Sequence, residues 1–141
     1  MKIGIFYDEV KYRLRGRRKI VSIIEKVISS EKIPIDDLNF IFTSDKGILK
    51  INREFLKHNY FTDVIAFSYA EDSRLTGDIY LSIDTVKFNA INYKVSLIDE
   101  LLRVMVHGTL HVCGYEDKTV AEKDIMKRKE DSWIKKFKEA G

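Results

Sequence analysis

The sequence predicts an α+β fold: a single domain in which helices pack on a small mixed four-stranded sheet, with one buried helix at the centre. Three observations support this. Short stretches of β-branched and aromatic residues alternate along the chain with longer stretches of helical periodicity. One helical stretch, opened by Ser96 and running through Leu110, is apolar around most of its circumference, the pattern of a helix enclosed on all sides. The 141 residues are enough for one domain with a real core. No repeat, low-complexity run or linker divides them, so the domain is expected to span 1–141.

The elements follow in order. Ile3 to Tyr7 reads as a first strand. Ile20, Val21, Ile23, Ile24, Val27 and Ile28 have helical spacing and predict a helix from about Arg17 to Ser30. Leu38 to Thr43 is of β type. Ser44 suits the N-cap of a second helix that turns Ile48, Ile51 and Phe55 inward. Val64 to Tyr69 predicts a third strand. Leu75-Thr76-Gly77 is expected to close a turn, after which Ile79, Leu81 and Ile83 alternate along a fourth strand. Asp84 is expected to cap a short helix reaching about Asn92. Ser96 with Asp99 has the spacing of a capping box at the start of the central helix. Thr119 with Glu122 repeats that spacing and opens a last helix that buries Ile125, Met126, Trp133 and Phe137.

Composition narrows the class. Apolar residues make up 45% and charged residues 33%, as in soluble globular proteins. Apolar runs extend only a few residues, so no membrane span is expected. The strand-like start meets Asp8 and Glu9 and lacks the features of a signal peptide. The one cysteine, Cys113, allows no internal disulfide, which fits a reducing cytoplasm. It lies two residues past His111, off the histidine face, and reads as core.

The central helix ends in the most telling stretch, His107-Gly108-Thr109-Leu110-His111-Val112-Cys113-Gly114-Tyr115-Glu116-Asp117. Positions i and i+4 stack on one helix face, so both imidazoles can address one point. Gly114 suits the left-handed residue that ends a helix, and Asp117 can return to the same point. Two imidazoles and a carboxylate with an open position form the layout of a catalytic zinc. A single histidine on an apolar helix is most often a satisfied core residue. Two buried polar groups on one such helix each cost roughly 1–3 kcal/mol unless something pairs them, and one metal ion pairs both. The gaps match a metalloprotease pattern, but Gly108 stands where that pattern has its glutamate base. Proteolysis is thereby disfavoured, and Gly108 suggests close approach of another backbone or of a substrate.

These residues resemble a known family. His107-Gly108-Thr109-Leu110-His111 followed by Gly114-Tyr115 is similar to the H-G-x-L-H-x-x-G-Y-D-H motif of the YbeY family, bacterial endoribonucleases of rRNA maturation. Ile51-Asn52 and Phe61-Thr62-Asp63-Val64-Ile65-Ala66-Phe67 resemble its L-N…P-T-D-V-L-S-F stretch, and Gly77-Asp78-Ile79 its G-D-I strand. The resemblance runs in register from about Leu38 to the end of the chain. It implies a zinc-type ion and cleavage of single-stranded RNA, with small-subunit rRNA 3′-end precursors as substrate. A role at the ribosome in quality control is implied as well. Two positions depart from the pattern. Asp117 replaces the family's third histidine, which adds a negative charge and shifts preference somewhat toward iron or manganese. Leu56 stands where the family usually has an arginine.

Phosphodiester cleavage needs positive charge near the developing oxyanions. Arg53, Lys57 and Lys118 are the candidates, and Glu116 could act as a base or orient a ligand. His58 is a reserve ligand or acid–base group. Lys11, Arg13, Arg15, Arg17, Arg18 and Lys19 form a basic run that suits an RNA backbone, with Tyr12 placed to stack on a base. The bland reading of each of these residues is a solvated surface group. The C-terminal lysines alternate with acids and read as a solvated face. The leading expectation is a metal-dependent single-strand endoribonuclease. A non-catalytic rRNA- or ribosome-binding factor is the first alternative, and a peptidase-like hydrolase the second.

Overall fold

A computed structural model describes residues 1–56 and 62–140. Its elements are β1 (Lys2–Tyr7), α1 (Arg17–Glu31), β2 (Ile35–Thr43), α2 (Asp45–Ile51), a π-helical turn (Asn52–Leu56), β3 (Val64–Glu71), β4 (Arg74–Ser82), α3 (Ile83–Tyr93), α4 (Leu97–Val112) and α5 (Val120–Glu139). The sheet order is β1-β2-β4-β3. β1 and β4 run parallel to β2, and β3 runs antiparallel to β4. The expected α+β architecture with a mixed four-stranded sheet is the one observed.

Helix α4 is the buried centre. Leu101, Leu102, Met105, Val106 and Leu110 are fully enclosed, and the helix touches α1, α3, α5, β3 and β4. It lies on Leu38, Phe40, Ile79 and Leu81 of the sheet, all at 0% exposure. Two glycines permit this approach. A Cβ on Gly108 would come within 2.7 Å of Ile79 Cγ2, and one on Gly77 within 2.8 Å of Val112 Cγ1. Gly108 therefore serves a close helix–sheet contact against the side chains of Ile79 and Val64. The expected partner, a backbone or a substrate, is not what faces it.

The caps set the helix ends. Ser44, Ser96 and Thr119 accept from the backbone N–H three residues on, as expected. Thr119 and Glu122 close a full capping box. Asp99 pairs instead with Lys138 at 2.7 Å, so that cap is a simple one. Ser82, not Asp84, caps α3, and Ile83 begins that helix rather than ending β4. The Asp84 carboxylate accepts from the Asp45 N–H and caps α2 from outside.

Other expectations also need correction. The β3–β4 turn falls at Asp72 and Ser73, both with positive φ (48° and 68°), while Leu75, Thr76 and Gly77 lie within β4. Two left-handed residues match the twist of a tight hairpin. β2 begins at Ile35 because the Asp36 carboxylate accepts from the Leu75 N–H and anchors the extra residues to β4. Phe55 is 64% exposed, since the π-turn carries it off the inward face, where it meets Phe67 edge-on. Ile125 is exposed, one position off the apolar stripe Met126, Trp133, Phe137 of α5.

Candidate metal centre

His107 and His111 lie one turn apart on the last two turns of α4. Gly114 then takes φ +105°, the left-handed conformation expected of it, and turns the chain. The following loop brings Asp117 back. Its Oδ2 lies 3.2 Å from His107 Nε2 and 3.4 Å from His111 Nε2, and the two Nε2 atoms are 3.0 Å apart. Among the described residues these three form the one cluster of metal-ligating groups, with all ligand atoms within 4.8 Å of one another.

The other side of each imidazole explains why these atoms face one another. His107 Nδ1 meets Glu130 Oε2 at 2.6 Å, and His111 Nδ1 meets the Tyr115 carbonyl at 2.9 Å. Both partners are acceptors, so both Nδ1 atoms carry the hydrogen in the neutral rings. Two bare Nε2 lone pairs and a carboxylate oxygen then converge on one point. That arrangement is repulsive unless a metal ion, or a proton on one Nε2, stands between them. A tetrahedral ion with ligands at about 2.0–2.1 Å has ligand–ligand edges of about 3.3 Å, close to the spacings observed. The residues present therefore fit a metal ion.

Charge around the centre agrees. Burial alone lowers the His107 pKa, but the hydrogen bond and charge of Glu130, with Asp117 and Asp63 behind them, raise it above the ordinary value. The Asp63 carboxyl is raised, mainly by burial and partly against the pull of His107. Glu130 is itself buried and also holds Arg103 at 3.0 Å, while Arg103 reaches Asp131 at 2.6 Å. The loop is tied down by Tyr115, whose hydroxyl donates to Glu31, with Lys129 on the other oxygen of the same carboxylate.

The centre opens into a cavity of about 580 Å³ lined by Asn52, Leu56, Thr62, Asp63, Val64 and the 114–118 loop among others. Glu116 and Lys118 stand on its wall, both exposed, 3.8 Å apart. Arg53 is on the adjoining π-turn and outside the described lining; Leu56 is within it. Lys57, His58 and Phe61 lie outside the described residues.

The basic run is elsewhere. Tyr12, Arg13 and Arg15 line a separate hollow with Lys87, Leu97 and Ile98, at the start of α4, roughly 15 Å along the helix from His107. Arg13 is spent locally, donating to the carbonyls of Val10 and Tyr12 and lying over the Tyr7 ring. Arg17 and Arg18 are exposed in the first turn of α1. Cys113 packs against the core beside Glu31 and Tyr115, away from the centre, as expected.

Sequence reading did not single out Glu130, Asp63 or Asn52. Glu130 had a readable sign: it lies four residues after Met126 and three before Trp133, on the buried stripe of α5. Buried Asn52 and half-buried Asp63 are only letters of the motifs, with nothing in their spacing to mark them as cavity residues.

The fold and the site define a class: a small α+β protein in which two histidines and a carboxylate, a set that could hold a metal ion, converge on the wall of an open cavity. A family model described as "Endoribonuclease YbeY" matches residues 7–138. The chain is 44% identical over 131 residues to an "Endoribonuclease YbeY" of Cytophaga hutchinsonii, covering 92% of each. It is 41% identical to that of Flavobacterium psychrophilum, covering 94% of each. A solution structure of a Thermotoga maritima protein superposes with a TM-score of 0.65 at 26% identity, covering 96% of this chain and 88% of that one. The chain belongs to the YbeY endoribonuclease family. Among the described residues no helix is long and apolar enough to cross a membrane.

Proposed function

We propose that this protein is a metal-dependent endoribonuclease that cleaves single-stranded RNA. Small-subunit rRNA precursors, cut near their 3′ end, are the proposed substrate, in ribosome maturation and quality control in the cytoplasm. The single observation that carries this reading is the convergence of His107 Nε2, His111 Nε2 and Asp117 Oδ2 on one point at the cavity wall. Family membership supplies the reaction class. Zinc is the ion this donor set suits best, though a carboxylate ligand also admits iron or manganese. A bound divalent ion supplies Lewis acidity to a phosphodiester and lowers the pKa of a water.

The chain's own residues do the rest. Glu130 and the Tyr115 carbonyl hold the two imidazoles with Nε2 forward. Glu116, solvent-exposed on the cavity wall, takes the proton of the attacking water on a carboxylate oxygen. Lys118 places its ammonium near the phosphate oxygens, with Arg53 and Lys57 as further sources of positive charge. Arg15, beside the start of α4, and Arg17 and Arg18, exposed in the first turn of α1, hold a more distant part of the RNA backbone, with Arg13 ordering that loop.

One observation favours a second reading, a non-catalytic rRNA-binding factor at the ribosome: Leu56, where the resemblance places an arginine, lines the cavity. A cleavage assay on tag-free protein separates the two. Single-stranded RNA is expected to be cut, with cutting abolished by chelation, restored by zinc, and absent in Asp117→Ala. RNA bound but left intact by the zinc-loaded wild type would overturn the enzyme reading.

A further inference from the structure

A second cavity, about 530 Å³, lies beside the first, between the end of α3, α4 and the first half of α5. His107 and Asp117 line both cavities, so the metal centre stands on the ridge between them. A strand with one phosphate on that ridge has a hollow on either side for its neighbouring nucleosides. The volume is in the range of small-ligand sites.

The lining of the second cavity is specific. Glu100, on α4, is only 4% exposed. Its carboxyl makes no hydrogen bond or ion pair among the described residues, and the nearby Arg103 is committed to Glu130 and Asp131. No fully enclosed side-chain polar atom among those residues lacks a partner. The Glu100 oxygens are therefore at the cavity surface. Burial, with the charges of Asp63 and Glu130, raises the Glu100 pKa, so its charged form is disfavoured unless a ligand brings hydrogen-bond donors. Around it, Tyr93 is 63% exposed at the end of α3, Val95 and Met126 add apolar wall, and Lys123 and Lys127 stand on α5.

We propose that this cavity is a nucleobase subsite for the residue next to the phosphate at the metal centre, and that it selects guanine. The proposal rests on the RNA-cleaving reading above. A ligand that draws this carboxyl into its ionised form must bring donors to both oxygens, because the ionised form only accepts hydrogen bonds. Guanine is the standard base whose Watson–Crick edge offers two parallel N–H donors, N1–H and N2–H, to match two carboxylate oxygens. Uracil offers one such donor, and cytosine and adenine each offer an amino group beside an acceptor. Tyr93 supplies the stacking face, and Lys123 and Lys127 the positive charge for the next phosphate.

The test is titration of the full-length protein with GMP, AMP, CMP and UMP, followed by nuclear magnetic resonance, beside a cleavage assay on RNAs that differ in one base. Wild type is expected to bind GMP at least about fivefold tighter than UMP. Glu100→Gln is expected to lose that preference, and Tyr93→Ala, at an exposed position, to weaken all four nucleotides. Equal binding of the four by wild type, or an unchanged preference in a folded Glu100→Gln protein, would overturn the proposal. Should Glu100→Gln fail to fold, unchanged GMP binding by Tyr93→Ala would overturn it. A GMP preference without any RNA cleavage would overturn the nuclease reading and leave the base site standing.

Discussion

The buried carboxylate of Glu130 accepts a hydrogen bond from His107 Nδ1 at 2.6 Å, so a residue of the last helix decides which nitrogen of His107 faces Asp117. A carboxylate behind a ligating imidazole fixes the tautomer and raises ligand basicity. Glu130→Gln keeps the shape and loses the charge. It is expected to weaken metal binding by about 10–100-fold, measured by competition with a chromophoric chelator, while the circular dichroism spectrum stays that of the wild type.

Tyr115 holds the metal-centre loop through two different atoms. Its carbonyl accepts from His111, and its hydroxyl donates to Glu31 at 2.6 Å. Tyr115→Phe removes only the second contact. Stability in urea is expected to fall by about 1–2 kcal/mol, with metal stoichiometry unchanged. Loss of metal in this variant would show that the loop depends on the hydroxyl.

Gly108 tests how tightly α4 is pressed on the sheet. Alanine would gain up to about 1 kcal/mol of helix propensity on an exposed helix. Here its Cβ would meet Ile79 Cγ2 at 2.7 Å and Val64 Cγ2 at 3.3 Å. Overpacking costs about 1–3 kcal/mol, so Gly108→Ala is expected to be net destabilising by about 1 kcal/mol, read as a lower urea midpoint. A stabilised variant would contradict the packing.

Cys113 should be slow to alkylate. Burial, and then the charge of Glu31, push its thiol from 9.0 to about 11. At pH 8 the folded protein then carries about a hundredfold less thiolate than an ordinary cysteine. Its iodoacetamide reaction is expected to be slower by that order in buffer than in urea. The raised value favours the folded state only while the unfolded thiol stays protonated. Its contribution is therefore full below pH 9 and declines between pH 9 and about 11.

Much of the fold, and the convergence of His107, His111 and Asp117, was legible because local chemistry decides them. Serine and threonine caps read true at Ser44, Ser96 and Thr119. The i, i+4 histidines and left-handed Gly114 fix where Asp117 can reach. What escaped depends on features with weak sequence marks. Asp72 and Ser73 form the hairpin turn without a glycine, so the nearby Gly77 looked like the turn. The π-turn at Asn52–Leu56 broke the 3.6 period that placed Phe55 inside. Glu130 sits in the charged run from Lys127 to Asp131, and only its phase on α5 betrays that it is buried. Arginines close together near the N-terminus suggested a site, but the fold puts Arg13 and Arg15 at the opposite end of α4 from the histidines.

Metal content of tag-free protein tests the account most directly. Equilibrated with buffered zinc and analysed by mass spectrometry, the wild type is expected to hold close to one ion per chain. His107→Ala and Asp117→Ala, folded by circular dichroism, are expected to hold far less. A wild-type protein that takes up no zinc, iron or manganese, and whose melting temperature is the same with and without chelator, would contradict the metal centre at His107, His111 and Asp117.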